Sequence, residues 1–418
     1  MVKHLVVLAW LATAVLLGGC WDQTSIEDTA FVVSLALDAD ERGGYLWTFR
    51  IIEAQSLPLG SLTVPPEPGN ETLSSSIMTV HAHNPEQAVQ IAQANIVRIV
   101  SLNHLRNIII GEDLARAGVS PVLNQLLRHY EVRRSAIMQA SSGRAEDAMR
   151  GSQPVGDTNI VRYLEGANLV QKRVHLAPPV RLQHFQANLL TDGSDPYLPL
   201  LTVNPIAKQP EGTLPPATGN EPLDGGTFPR VGGNPAEWAG ALIFRADHYA
   251  GKINVSQAQA LLALRGELGK TYVTVPDPVE EGQMVTLRLG QENKPRYRTS
   301  FSAGHPAVDI HLHLDAEVVS WSAKTDYTKP ENRRMLEQHV ARWTKESLLK
   351  PVIETVYHEW GADPVGLGNV FRRRFPVYGA WERYRWHDRV KDLAVNLQVN
   401  VFIRRFGMML NQPPSRER

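Results

Sequence analysis

One residue in this chain has a position that predicts covalent chemistry. Cys20 is the only cysteine among 418 residues, and it directly follows Leu17-Gly18-Gly19. Before that come Lys3 and an apolar run from Leu5 to Leu17. A short basic start, then about 7–15 apolar residues, then small residues ahead of a cut, form a secretory signal. The run is shorter than the about 20 apolar residues a membrane-spanning helix needs. A cysteine placed right after the small pair is the acceptor for a thioether-linked diacylglycerol. The chain therefore predicts a lipoprotein signal peptide over residues 1–19 and an acyl lipid, palmitate among its chains, on Cys20. Two acyl chains anchor a protein stably where one holds it marginally, at about 0.8 kcal/mol per buried methylene. A plain secretory signal with an incidental cysteine is the alternative for the same residues.

Other clusters carry weaker chemical signals. Asp309, His311, His313, Asp315 and Glu317 alternate along one predicted strand, a pattern with metal-ligand types but with no second motif to complete a shell. They read as the solvated face opposite an apolar stripe. His81 and His83 precede a helix cap and read as loop surface. Gly366-Leu367-Gly368 lacks the third glycine and the acidic partner of a dinucleotide site. Gly266-Glu267-Leu268-Gly269-Lys270 lacks phosphate-loop spacing. Glu131 between Arg128 and Arg133 reads as a structural ion pair. Arg372-Arg373-Arg374 reads as a solvated run, and Trp381, Trp386, Tyr378 and Tyr384 as an aromatic core cluster. There is no G-x-S-x-G nucleophile elbow. No catalytic, metal-binding or cofactor-binding residue is assigned, so lipidation at Cys20 stands alone.

The elements that must carry these residues follow from periodicity. A buried strand covers 30–38 and a hairpin partner 45–55. Asn84-Pro85-Glu86-Gln87 starts a helix with a capping pattern whose apolar face runs through Val89, Ala92, Ile96 and Ile99. A strand at 105–110, a helix opened by Ser120-Pro121 and a strand at 135–140 follow, an α/β order. A helix over 160–169 and strands over 182–190 and 198–203 complete the first half. Residues 204–234 are rich in Pro, Gly and Thr and read as a linker. Beyond it come a strand at 238–244, a helix capped by Ser256, a strand pair at 284–291 and 296–301, and an alternating strand at 308–321. A long helix over 331–360 is expected to kink or break at Pro351. An alternating strand at 393–403 is expected to be half-buried and antiparallel.

The expected fold class is α+β: a mixed α/β body of two to three small domains after the leader. The expected divisions are 1–19 (leader), 20–203 (N-terminal module, with room for two subdomains), 204–234 (linker), 235–410 (C-terminal α+β module) and 411–418 (tail). Lys+Arg and Asp+Glu both total 43, and zero net charge argues against nucleic acid as a partner. About ten residues separate Cys20 from the first strand, so the body sits within about 36 Å of the lipid.

Several stretches, taken in order, resemble one family. Cys20-Trp21-Asp22 and the strand ending in Asp38 resemble the mature start of the Ger(x)C family, the C subunits of spore germinant receptors. Asn103 to Arg116, around Gly111-Glu112, looks like that family's strand-to-helix signature, and Arg128 to Arg133 fits its R-x-x-E-x-R segment. Gly240 to Gly266 resembles the start of its C-terminal domain, and Asp363 to Gly368 its D-x-x-G-x-G turn. The resemblance implies a non-enzymatic, lipid-anchored subunit on the outer face of the inner spore membrane. Its implied partners are the A and B subunits of a germinant receptor, with three small mixed domains of its own. A lipid-anchored protein that captures a small nutrient is the competing expectation.

Overall fold

The computed structural model describes residues 28–53, 75–152, 160–209, 214, 223–302 and 304–407, together with 3, 4 and 10. Two sheets organise them. The first begins with β1 (Thr29–Ala39), whose burial is almost unbroken along its length. Such a strand lacks alternation because both its faces are covered. Leu35 and Leu37 enter the main core, Ala36 packs with Ile109, Met149 and Leu201, and Val33 packs with Ile160 and Leu164.

β1 pairs antiparallel with β2 (Tyr45–Glu53), and β2 with β3 (Ser75–Ala82). On its other edge β1 lies parallel to β4 (Ile99–Ser101) and then to β5 (Asn107–Ile110). β5 is parallel to β6 (Ile137–Ser141), which pairs with β7 (Val180–Arg181) and, in parallel, with β8 (Tyr197–Val203). β9 (Ala236–Arg245) lies antiparallel to β8, and β10 (His248–Ile253), antiparallel to β9, finishes the sheet. The order is β10-β9-β8-β6-β5-β1-β2-β3, a parallel centre with antiparallel wings. The sheet thus takes strands from both sides of the Pro/Gly-rich stretch. Glu237 on β9 holds the described parts of that stretch by accepting from Gly226 N, Arg230 and Asn204 Nδ2.

The parallel strands are joined by helices: α1 (Pro85–Gln93), α2 (Glu112–Ala117), α3 (Ser120–Arg128), α4 (Ala145–Gly151), α5 (Ile160–Val174) and α6 (Leu182–Leu189). Asn84 caps α1 by accepting from Gln87 N at 2.8 Å. Two details differ from expectation here. Ile99 lies on a strand, not on the face of α1. Gln93 ends that helix by donating to Ile96 O and Arg98 O and accepting from Val100 N. Residues 182–189 are helical, not extended, because Leu182 and Phe185, three apart, are the pair that buries. That spacing belongs to a helix face.

The second sheet is ordered β11 (Thr271–Pro276), β12 (Met284–Gly290), β14 (His305–Trp321), β13 (Arg296–Ser302), with β15 (Ala394–Phe406) on the free edge of β14. α7 (Val255–Arg265) precedes it. Its capping box uses Asn254 with Gln257, so the helix starts earlier than the expected Ser256 cap. Val308, Ile310, Leu312, Leu314, Ala316 and Val318 on β14 are all buried. The expected antiparallel pairing of the last strand is corrected: β15 runs parallel to β14. Alternation reports half-burial and is blind to direction. Parallel pairing requires a long crossover, and the helices between Trp321 and Ala394 supply it.

The first of these is α8, helical from Pro330 through Glu359. Pro351 does not break it. The turns on both sides, Thr344–Leu349 and Ile353–Glu359, widen to π geometry, which is one way a helix accommodates a residue lacking an N–H. Its end is closed by Gly361 at φ +68°, with Gly361 N donating to Tyr357 O and Ala362 N to Val356 O; the first of these is the bond of an αL cap. α9 (Leu367–Arg372), α10 (Tyr378–Tyr384) and α11 (Trp386–Arg389) follow. One apolar core runs from β1 residues to β15 residues and joins the two sheets.

Candidate functional site

The αL cap at Gly361 delivers Asp363 to the boundary between the sheets. Its carboxylate is fully buried. One oxygen accepts from Gly366 N (2.8 Å), Leu367 N (2.9 Å) and the Tyr357 hydroxyl (2.7 Å). The other accepts from Gly368 N (2.7 Å) and Trp386 Nε1 (3.1 Å). Each member of D-x-x-G-x-G thereby has a reason. Gly366 sits at φ +81°, and a Cβ on Gly368 would lie 2.6 Å from Trp386 Nε1 and 2.7 Å from Gly193 Cα. Burial raises the Asp363 pKa, against the lowering effect of these donors.

Asp195, on the loop between α6 and β8, is the second buried acid at this place. It accepts from Asp363 N and Ala246 N at 2.7 Å each, and its own N–H donates to Asp363 O at 2.9 Å. His387 Nε2 lies 3.1 Å from Asp195 Oδ1, and that hydrogen bond raises the imidazole pKa. Arg265, at the end of α7, donates to Pro364 O at 2.6 Å and sits over the Tyr197 ring. Four chain segments are therefore stitched through two carboxylates. Sequence reading missed Asp195, in an unpatterned loop, and His387, in the one-turn helix α11. The one available signal was an Asp-Pro step just before a buried strand.

A second junction forms inside the first sheet. Asp38, at the end of β1, accepts from Ala145 N (2.7 Å) and Glu146 N (3.0 Å), the first turn of α4. An acid at a helix N-terminus meets unpaired donors and the positive end of the dipole. Burial nonetheless raises its pKa overall. Gly111 must be glycine, since a Cβ there would lie 2.0 Å from Asp38 Oδ1. Glu112 beside it pairs with Arg116 and, at 3.1 Å, with Lys252 of β10. Burial pushes the Glu112 pKa up, but these cations bring it below the usual carboxylate value. Arg50, also missed, is a 4% exposed cation on β2. It donates to Met149 O and, at 3.2 Å, to Ser152 O, so it holds the end of α4, and burial lowers its pKa to about 10.

The remaining singled-out residues fall as follows. Cys20 lies outside the described residues. Along β14, Asp309 accepts from Asn396, His313 stacks on Phe402, Asp315 pairs with Arg404 and Glu317 with Arg288. These are cross-strand pairs, and among the described residues no group of three or more His, Cys, Asp or Glu could hold a metal ion. His81 Nε2 meets Gly43 O at 2.6 Å. Glu131 is not paired with Arg128 or Arg133; it accepts from Leu102 N at 2.6 Å. Arg374 binds Thr299 and Arg372 stacks on Tyr378, so two of the three consecutive arginines are used internally. Trp381 and Trp386 are 2% exposed each and stack on one another. Gly266, at φ +72°, is the C-cap of α7. No helix of the described residues is long and apolar enough to cross a membrane.

Fold and junctions define a two-sheet α+β protein in which a buried D-x-x-G-x-G turn locks the second sheet's helices to the first sheet. The family model described as "Spore germination protein N-terminal domain" matches residues 22–203, and that described as "Spore germination B3/ GerAC like, C-terminal" matches 239–407. The chain belongs to the Ger(x)C family of spore germination proteins. It is 26% identical over 409 residues to YfkR of Bacillus subtilis (strain 168), with 96% of each chain covered. It is 22% identical over 397 residues to spore germination protein B3 of the same organism, covering 93% of this chain and 94% of that one. A solved structure, the crystal structure of the GerBC protein, superposes with a TM-score of 0.53 at 19% identity, covering 88% of this chain and 96% of that chain. The fold is shared with it.

Proposed function

We propose that this protein is the lipid-anchored C subunit of a nutrient germinant receptor. It acts without catalysis, as a scaffold or signalling partner of the membrane-embedded A and B subunits. Its place is the outer face of the inner spore membrane, held there by a diacylglycerol on Cys20. The observation that carries this reading is the pair of germination-family matches, which begin two residues after Cys20 and leave little of the chain uncovered. The arrangement of buried acids supports it. Asp363, Asp195 and Asp38 spend their oxygens on backbone donors, the work of structural carboxylates.

Tethering partners to one membrane raises their effective concentration, so weak contacts suffice. The test is Cys20→Ala in sporulating cells. The variant should keep its fold, leave the membrane fraction and weaken the nutrient response. A variant still found with membranes, in spores that germinate normally, would refute the proposal.

A further inference from the structure

The parallel strands β1, β4, β5 and β6 begin at one end of the first sheet, where Thr29 pairs with Ile99 and Arg106 N donates to Val33 O. β1, the first strand after Cys20 in the sequence, starts at that end. Nine residues, at no more than about 3.6 Å each, let Thr29 stand within about 32 Å of the anchor. A cleft of about 270 Å³ opens there, lined by Arg106, Arg133, Arg181, Ser135, Asn168 and Glu165. It holds three guanidinium groups against one carboxylate. The Arg106–Glu165 pair, at 3.3 Å, is exposed on both sides and so contributes little. Arg133 and Arg181 form no ion pair among the described residues. The field is felt nearby: the His104 pKa is lowered by burial and then by Arg133 and Arg106.

Large side chains stand exposed at the same end. Val97 is 104%, Ile99 54% and Tyr130 91% exposed, and the Tyr130 ring stacks on His129. Aliphatic residues with a tyrosine beside arginines make up the composition of a bilayer interface, where apolar groups enter the acyl boundary and cations meet headgroups. The opposite end of the sheet differs. There Arg42, Arg116 and Arg144 are each matched by a carboxylate, Asp40, Glu112 and Glu146.

We propose that the β1/β4/β5 end of the first sheet docks on an anionic bilayer, with the Arg106–Arg133–Arg181 cleft taking a phosphate-bearing lipid headgroup and Val97, Ile99 and Tyr130 entering the interface. This rests on the lipid-anchored reading and adds an orientation to it: β1, the strand that follows the anchor in sequence, begins at the docking face, which leaves the opposite end of the sheet turned away from the membrane.

The test uses the mature chain from residue 20 onward with Cys20→Ser, so that no acyl group contributes. Co-sedimentation is measured with phosphatidylcholine vesicles with and without phosphatidylglycerol. Binding should require the anionic lipid and fall with salt. Each arginine near an anionic surface contributes about 1 kcal/mol, roughly fivefold. Arg106→Gln, Arg133→Gln and Arg181→Gln together should weaken binding on the order of a hundredfold. The three Arg→Lys changes should retain most of it, which separates charge loss from misfolding. Arg42→Gln with Arg144→Gln, at the far end, should leave binding unchanged. Equal binding to neutral vesicles, an unaffected Gln triple variant, or an equal loss in the far-end pair would overturn the proposal. So would tight binding of inorganic phosphate to the chain that abolished vesicle binding, because the occupant would then be a soluble anion. Failure here leaves the anchor to be judged by Cys20→Ala alone.

Discussion

Replacing Asp363 removes the acceptor for five donors at once: the N–H groups of Gly366, Leu367 and Gly368, the Tyr357 hydroxyl and Trp386 Nε1. A buried donor left without a partner costs about 1–3 kcal/mol. Even at the low end, five donors bring Asp363→Ala to a loss on the order of 5 kcal/mol, comparable with the whole stability of many domains. Asp363→Asn is milder. Its carbonyl oxygen can keep the Gly366, Leu367 and Tyr357 donors, while its amide faces Gly368 N and Trp386 Nε1 donor to donor. At the same low end, two unpartnered donors predict a loss of about 2 kcal/mol, offset in part because no charge is buried. Urea unfolding followed by far-UV circular dichroism and tryptophan fluorescence measures both. An alanine variant within about 1 kcal/mol of the parent, or alanine and asparagine variants of equal stability, would refute the claim that these donors depend on this carboxylate.

The other junctions give sharper tests of coupling. Gly111→Ala places a Cβ about where Asp38 Oδ1 now sits and should cost about 3 kcal/mol by pulling Asp38 off α4. Asp38→Ala should cost about the same, and the double variant little more, because both remove one network; additive losses would sink the account. For His387, the folded pKa lies above the unfolded value of 6.5, first through its hydrogen bond to Asp195, with Asp363 adding and burial and Arg245 opposing. A raised histidine stabilises fully below the unfolded pKa and loses that contribution as pH climbs through the folded one. The stability gap between the parent and His387→Ala should therefore narrow as pH rises from below 6.5 through the raised folded pKa, and a gap that stays constant as pH is raised would rule the pairing out.

The sequence by itself determined much of the local structure. The apolar run of β1, the Asn84 cap of α1, the alternation along β14 and β15, and the glycine of D-x-x-G-x-G at φ +81° are all properties of short windows. Local sterics and side-chain periodicity act within a few residues, so they can be read there. Only the tertiary structure decided which strand β15 lies against and in which direction, that residues 182–189 wind as a helix, and that α8 absorbs Pro351 in widened turns. Only the fold brought Asp195 to Asp363, 168 residues away, and Asp38 to Ala145, 107 residues away. The physical reason is the same for each. A carboxylate can be buried only where several donors converge on it, and that convergence is a property of packed elements, not of neighbours along the chain.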